Sequence, residues 1–132
     1  MNDTKNYIVL ARKYRPQKLS DMIGQEEICK VLEGSIKLKR VAHAYLFSGT
    51  RGVGKTTLAR ILGKIVNCVS ELSNSNKPCG KCTSCISIDQ ESNLDVIEID
   101  AASKTGVDDI REIIENINYK PVSAKKKIYI ID

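Results

Sequence analysis

The chain has 132 residues, of which 42% are hydrophobic and 28% charged, a balance typical of one soluble globular domain with its own core. No apolar run reaches the length of a membrane span and the N-terminus lacks a secretory pattern, so the sequence predicts a cytoplasmic protein without a membrane partner. The net charge of +5 is compatible with nucleic-acid contact, but by itself it mostly describes a solvated surface.

The order of the predicted elements indicates an α/β protein. A polar, basic segment over 11–21, interrupted by Pro16, predicts an extended arm. Helical apolar spacing predicts helices over 25–40, 55–67 and 107–118. The inward face of the third helix is predicted to be Val107, Ile110, Ile113, Ile114 and Ile117. Short apolar runs predict strands over 44–47, 94–99 and 128–131. Strands that alternate with helices favour a parallel sheet flanked by helices.

A glycine-rich turn follows the first predicted strand and opens the second predicted helix. It fits the phosphate-binding pattern G-x-x-x-x-G-K-[ST] at every fixed position: Gly49, Thr50, Arg51, Gly52, Val53, Gly54, Lys55 and Thr56. Glycines let the backbone N–H groups turn inward around phosphates, and the helix N-terminus adds its unpaired amides. Lys55 can reach the β- and γ-phosphates, and the Thr56 hydroxyl can bind Mg²⁺. The pattern predicts ATP and Mg²⁺ as cofactors; Arg51, Val53 and Thr57 are weaker candidates, whose side chains could equally face solvent or core.

A second Mg²⁺ ligand is expected at the end of a neighbouring strand. Asp132, directly after the apolar run 128–131, is the favoured candidate, and Asp100 after 94–99 is the alternative. Natural domains rarely end on a buried strand. The chain is therefore interpreted as an N-terminal portion, residues 1–132, of a larger domain whose sheet is incomplete.

Four cysteines form the pattern C-x10-C-x2-C-x2-C: Cys68, Cys79, Cys82 and Cys85. C-x2-C turns present two sulfurs to one point, so the spacing predicts a closed structural Zn²⁺ site in an insertion over 68–85. Two disulfides or four inert thiols are the alternatives; a reducing cytosol counts against the first and the tight spacing against the second. Lys77 and Lys81 are expected to lower the thiol pKa values through their positive charge. Cys29 is interpreted as a small apolar residue.

The combination of motifs resembles a known family. Residues 11–16, 23–25 and 43–47 leading into the phosphate loop, then the four cysteines, 98–103 and 130–132, closely resemble the bacterial DNA polymerase III tau/gamma subunits. These are AAA+ ATPases of the clamp loader, the assembly that opens the ring-shaped sliding clamp and loads it on primed DNA. The resemblance implies a partial AAA+ domain with a P-loop NTPase sheet. It also implies a role in replication as the ATPase subunit of a DNA-directed DNA polymerase, with other clamp-loader subunits, the sliding clamp and primed DNA as partners.

Further residue roles rest on the resemblance alone. It implies that the arm residues Tyr14, Arg15 and Pro16, together with Ile23, lie beside the adenine. It also implies that Lys104, Thr105 and Arg111, near the start of a helix, face the DNA backbone. For each of these residues a packing or solvated-surface role is the alternative.

Catalysis by the chain alone is not expected. In this family a glutamate after the strand-end aspartate positions the attacking water, and the sensors and the arginine finger come later in the sequence; none of these lies within 1–132. Two other functions are alternatives. A P-loop kinase would need an arginine-rich lid and an acceptor base, and neither is found. The chain could also be a zinc-stabilised module that binds nucleic acid or protein, in which the phosphate loop is vestigial. The intact Lys55 and Thr56 count against this alternative.

Overall fold

The computed structural model describes residues 8–70, 77–104 and 106–132. Its helices and strands are, in chain order, α1 (Leu10–Lys13), a 3-10 helix (Leu19–Asp21), α2 (Glu26–Lys37), α3 (Lys55–Asn67), α4 (Thr83–Asp89), β1 (Val96–Ile99), α5 (Val107–Ile117) and β2 (Ile128–Ile131). None of the helices in these ranges is both long and apolar enough to cross a membrane.

The sheet joins two strands that are distant in sequence. β1 and β2 pair in parallel, with Val96 opposite Ile128 and Ile99 opposite Ile131. Helix α3 packs on this sheet at Gly63, where a Cβ atom would lie 3.6 Å from Val96 and 3.8 Å from the side chain of Ile128. The predicted parallel α/β arrangement is confirmed for these elements.

A small apolar core lies between α2, α3 and the arm that precedes them. Its buried members are Leu19, Met22, Cys29, Leu32, Leu58 and Ile61. The prediction that 11–21 is an extended arm is wrong, because α1 and the 3-10 helix occupy part of it. Leu19 turns into the core, and the carboxylate of Asp21 accepts the backbone N–H groups of Gln17 and Lys18 at 3.2 Å each, which closes the turn. Cys29 is a buried apolar residue, as expected.

The strand predicted over 44–47 is not formed. Tyr45 and Phe47 stack with ring centroids 6.1 Å apart, while Leu46 is 93% exposed. A strand exists only where a second backbone accepts its hydrogen bonds, and within the described ranges no segment pairs with this one. An apolar run shows that a segment can be buried, but it does not supply the neighbouring strand.

The inward face predicted for α5 is also wrong. The helix forms nearly where expected, yet none of its residues is buried, and Val107, Ile110, Ile114 and Ile117 are among the exposed large hydrophobic residues. The apolar stripe needs a surface to cover it, and the described part of the chain does not bury it.

Candidate functional site

The phosphate loop 49–56 folds around the head of α3. Gly52 and Gly54 have φ values of 84° and 96°, in the left-handed region that side chains with a Cβ rarely adopt. A Cβ at Gly54 would also lie 2.7 Å from the terminal methyl of Met22. Gly52 and Gly54 therefore hold a backbone conformation that favours glycine, and a side chain at Gly54 would also have to displace the Met22 methyl.

Lys55 lies across its own loop. Its Nζ donates to the backbone carbonyls of Gly49 and Thr50, both at 2.9 Å. The ammonium group is thus held over the turn at the start of α3, where the helix presents its unpaired N–H groups. A triphosphate placed there would meet a lysine and a helix N-terminus together.

Thr56 and Asp132 come together although 76 residues separate them. The Thr56 hydroxyl donates to Asp132 Oδ2 at 2.6 Å. Two bonds fix the backbone of Asp132 against β1 and the residues that follow it. The N–H of Asp132 donates to the Ile99 carbonyl at 2.9 Å, and its carbonyl accepts the N–H of Ala101 at 2.7 Å. Two ligands of an octahedral Mg²⁺ at about 2.1 Å lie about 3 Å apart, so these oxygens are close enough to share one ion. The alternative candidate, Asp100, instead accepts the N–H of Ala102 at 2.9 Å.

The other predicted nucleotide-binding residues in and near the loop differ in their exposure to solvent. Thr50 and Arg51 are exposed, and Val53 and Thr57 are half-buried. Met22 contacts the position of Gly54, while the next residue, Ile23, is 93% exposed; its predicted role beside an adenine stays a prediction.

The arm carries the remaining adenine-contact candidates. Tyr14 is 72% exposed and lies under the ammonium group of Lys13, 5.5 Å from its ring centroid. Arg15 and Pro16 are half-buried. The predicted role of Tyr14, Arg15 and Pro16 beside an adenine stays a prediction.

The four cysteines converge on one point. Their Sγ atoms all lie within 4.8 Å of one another, and those of Cys79 and Cys85 are 4.0 Å apart. Tetrahedral Zn²⁺ with Zn–S bonds of about 2.3 Å needs sulfurs about 3.8 Å apart. All four are free thiols, so they could hold a metal ion with little movement.

Backbone N–H groups donate to several of these sulfurs and change the pKa values of their thiols. Cys79 Sγ accepts from the N–H groups of Lys81 at 3.4 Å and Cys82 at 3.2 Å, and these bonds lower the pKa of Cys79 to about 6. Burial opposes ionisation of Cys82, but N–H groups of Val69 and Cys85 outweigh it and lower its pKa. Lysine charge, the expected cause, is not what lowers these pKa values.

Cys85 behaves in the opposite way. Burial, assisted by the neighbouring thiols, raises the pKa of Cys85. A cation at the centre of the cluster would reverse that balance, because metal binding deprotonates a coordinating thiol.

The cysteine cluster is built onto the helices around it. Cys68 directly follows α3, and Cys82 caps α4 by accepting the N–H of Cys85 at 3.4 Å. Sequence periodicity did not predict α4, which is short and begins inside the cysteine pattern. The same helix carries Asp89, whose carboxylate binds the buried ammonium of Lys64 in α3 at 2.8 Å. The cluster thereby joins α4 to the helix that begins at the phosphate loop.

The predicted DNA-contact residues lie at the start of α5. Lys104 and Arg111 are exposed, and Thr105 lies outside the described residues. Arg111 Nη1 is 3.2 Å from the carboxylate of Asp108, and Asp109 accepts the N–H of Gly106 at 3.2 Å. The first turn of α5 is therefore acidic, which offsets part of the positive charge that a phosphate backbone would need. DNA contact at these residues stays a prediction.

Several polar residues that hold the site together gave no sequence signal. Arg60 of α3 makes a bidentate bond to Glu98 of β1 at 2.7 and 2.8 Å. Asn67 and Asp95 are fully buried, and both are bonded to the chain that leads into β2. Isolated polar residues of this kind form no pattern, so only their contacts identify them.

The fold and the site define a class: an α/β protein with a phosphate-loop turn heading a helix and a four-cysteine cluster at that helix's far end. More narrowly, the chain belongs to the family described as DNA polymerase III, delta subunit, whose model matches residues 24–132.

Individual relatives carry the names of other subunits of the same polymerase. The chain is 51% identical over 127 residues to the DNA polymerase III subunit tau/gamma of Haemophilus influenzae, covering 96% of this chain and 18% of that protein. It is 49% identical to the subunit tau of Escherichia coli, with 96% and 19% covered, and 47% identical to the subunit tau of Bacillus subtilis, with 96% and 22% covered. The chain thus spans about a fifth of the length of these relatives. The resemblance drawn from the motifs is confirmed.

Proposed function

We propose that this chain is the ATP-binding part of a clamp-loader motor subunit of the DNA polymerase III tau/gamma type. The contact between Thr56 and Asp132 carries the proposal. A phosphate loop alone supplies one magnesium ligand, whereas P-loop ATPases use a second from a strand end. The hydroxyl and the carboxylate, 2.6 Å apart, supply that pair at the head of α3.

Each residue then has a separate task. Backbone N–H groups of 49–54 surround the phosphates, and the N-terminus of α3 adds its positive dipole end. Lys55 exchanges the two carbonyls that it now binds for β- and γ-phosphate oxygens. Thr56 and Asp132 hold the Mg²⁺, which neutralises phosphate charge when it is bound.

The four cysteines hold Zn²⁺ in this proposal, and their role is structural. A site closed by four thiolates leaves no position for water or substrate. Because Cys68 follows α3 and Cys82 caps α4, the site holds the C-terminal end of the phosphate-loop helix to α4.

For the intact protein, we place the ATP-driven step in replication. The family and the names of the relatives support a subunit of DNA polymerase III. The motif resemblance adds loading of a sliding clamp on primed DNA, together with partner subunits. A pull-down of the sliding clamp with the intact protein and ATP tests this assignment; a P-loop kinase would not retain the clamp.

Calorimetric titration with ATP tests the phosphate loop. With Mg²⁺ present, Lys55→Ala should weaken ATP binding by at least about tenfold, since a hydrogen bond to a charged group contributes about 1.5–3 kcal/mol and about 1.4 kcal/mol is a factor of ten. Lys120→Ala, at an exposed lysine after α5, is the matched control and should bind as the unchanged protein does. Absence of ATP binding by the unchanged protein would refute the assignment as a clamp-loader motor subunit. The remaining function would then be that of a cysteine-based module that binds nucleic acid or protein.

A further inference from the structure

Helix α3 is bonded to the β2 segment at both of its ends. At its N-terminal end Thr56 binds Asp132 at 2.6 Å. At its C-terminal end the side-chain amide of Asn67 makes two bonds to the backbone of Lys126: it donates to the carbonyl at 2.9 Å and accepts the N–H at 2.8 Å. Asn67 therefore pairs with the chain just before β2 in the way that a neighbouring strand would.

The two bonded segments have matching lengths. From Thr56 to Asn67 the helix rises about 17 Å at about 1.5 Å per residue. From Lys126 to Asp132 a fully extended chain would cover about 20 Å at about 3.3 Å per residue. β2 thus runs along α3 in the opposite direction, and where Asp132 arrives depends both on the pairing of β2 with β1 and on the Asn67 bonds to Lys126.

Burial makes the Asn67 contact rigid. Asn67 is 0% exposed, so water cannot replace its bonds to Lys126. Next to it, the Lys125 ammonium donates to the carbonyl of Cys68 at 2.5 Å. The approach of α3 to the sheet at Gly63 leaves little room for β2 to slide between the two bonded ends.

We propose that Asn67 is a positioning residue for the magnesium site, acting through Lys126 and β2 to hold the Asp132 carboxylate against Thr56. This inference rests on the proposed nucleotide site and assigns it a residue about 17 Å along the helix from the loop. Asn67 touches neither nucleotide nor metal. Its effect should fall on the ligand that β2 carries, because both side-chain bonds of Asn67 go to Lys126, just before that strand.

The test is the Mg²⁺ dependence of ATP binding to the intact protein. Affinity is measured by calorimetry with Mg²⁺ and in Mg²⁺-free buffer that contains no chelator, for the unchanged protein, Asn67→Ala and Asn67→Asp. We expect the gain in affinity on adding Mg²⁺ to fall by about tenfold in both variants, because a ligand displaced by about 1 Å loses much of its effect. Affinity without Mg²⁺ should stay within about twofold, because the phosphate contacts of the loop are unchanged.

Two control variants separate positioning from general damage. Asn118→Ala removes a side-chain amide at the end of α5, where it donates to the Ile114 carbonyl at 3.4 Å; Ile61→Val removes a methylene from the core. Both should keep the full Mg²⁺ effect. In an Asp132→Asn background, Asn67→Ala should have no further effect on the Mg²⁺ gain, because the positioned ligand is already altered.

The outcomes distinguish the two proposals. If the unchanged protein binds ATP with a Mg²⁺ gain that both Asn67 variants retain, Asn67 does not position the site and only this inference fails. Equal losses with and without Mg²⁺ would likewise overturn it, in favour of a general structural role. Should Asn67→Ala fail to fold, Asn67→Asp decides, alone and in the Asp132→Asn background. An unchanged protein that binds no ATP removes the proposed function and this inference with it.

Discussion

Asp95 should be among the most sensitive positions for stability. It is a fully buried carboxylate that accepts the backbone N–H of Val122 at 2.7 Å on one oxygen, and those of Ser123 and Ala124 at 2.8 Å each on the other. Asp95→Asn keeps the shape but replaces one acceptor oxygen with a donor. Wherever the amide oxygen points, at least one buried N–H then faces another donor.

The expected loss can be worked from those bonds. If the amide oxygen keeps Ser123 and Ala124, the bond to Val122 is lost, at about 1.5–3 kcal/mol for a charge-assisted bond. The two remaining bonds become neutral ones of about half the strength. We therefore expect the free energy of unfolding to fall by about 3 kcal/mol or more, a large part of the roughly 5–15 kcal/mol that domains possess.

Urea unfolding followed by circular dichroism at pH 7 measures this change. Asp108→Asn is the matched control, since the Asp108 carboxylate is 95% exposed and makes one ion pair; it should shift the free energy of unfolding by no more than about 0.5 kcal/mol. If Asp95→Asn loses less than about 1 kcal/mol, the three N–H groups do not depend on the charge and the reasoning is wrong.

The same contact predicts a pH dependence. Burial opposes ionisation of Asp95, but the N–H groups of Ser123, Val122 and Ala124 outweigh it and lower its pKa. A carboxyl with a lowered folded pKa contributes stability above its unfolded value of about 3.9 and loses it as the pH falls through the folded pKa. The stability advantage of the unchanged protein over Asp95→Asn should therefore shrink below about pH 4. An advantage that stays constant down to acid unfolding would contradict this.

Three further predictions concern the helices around the site. Removing bound metal with a strong chelator, or replacing Cys85 by serine, should lower the melting temperature by about 5 °C or more; less than one zinc per two chains by elemental analysis, with no thermal shift, would contradict a structural metal. Gly54→Ala, at a φ of 96°, should lower the free energy of unfolding by about 1–2 kcal/mol in urea titrations, whereas no loss would show that the loop relaxes. Asp89→Ala removes the carboxylate partner of the buried Lys64 ammonium and leaves it the Gln17 side-chain oxygen; this should cost about 1–3 kcal/mol, while Lys64→Met should be nearly neutral, and equal costs from the same urea measurement would contradict this asymmetry.

Secondary-structure elements whose bounds follow from local residue patterns could be predicted from the sequence. Helix α3 spans the predicted residues because the glycine-rich turn sets its start and its apolar face recurs every three to four residues. β2 also has its predicted bounds. The predictions of a strand over 44–47 and of a buried face on α5 were wrong. In both places the apolar residues have the spacing of a buried segment, but no described part of the chain packs against them.

The candidate site divides in the same way. The phosphate loop and the four cysteines could be found from spacing, because the residue types that bind phosphate or zinc are few and lie close together in the sequence. The cause of the lowered pKa of Cys79 could not be found so, since backbone N–H groups take their directions from the folded turn. The sequence favours Asp132 over Asp100, and the structure adds the 2.6 Å distance between Thr56 and Asp132; the role of Asp132 as a magnesium ligand stays a prediction.

The local chemistry can be read from the residues in order: a glycine-lined turn before Lys55 and Thr56, and a set of thiols at metal-binding spacing. Such features depend on residues that are neighbours along the chain, and their conformations follow from local sterics and hydrogen bonding. Which distant groups meet, such as Asn67 with Lys126 and Asp95 with 122–124, is visible only in the folded chain. Those contacts form because buried polar groups must find partners, and which partner is available depends on how α3 and β2 pack rather than on any local pattern.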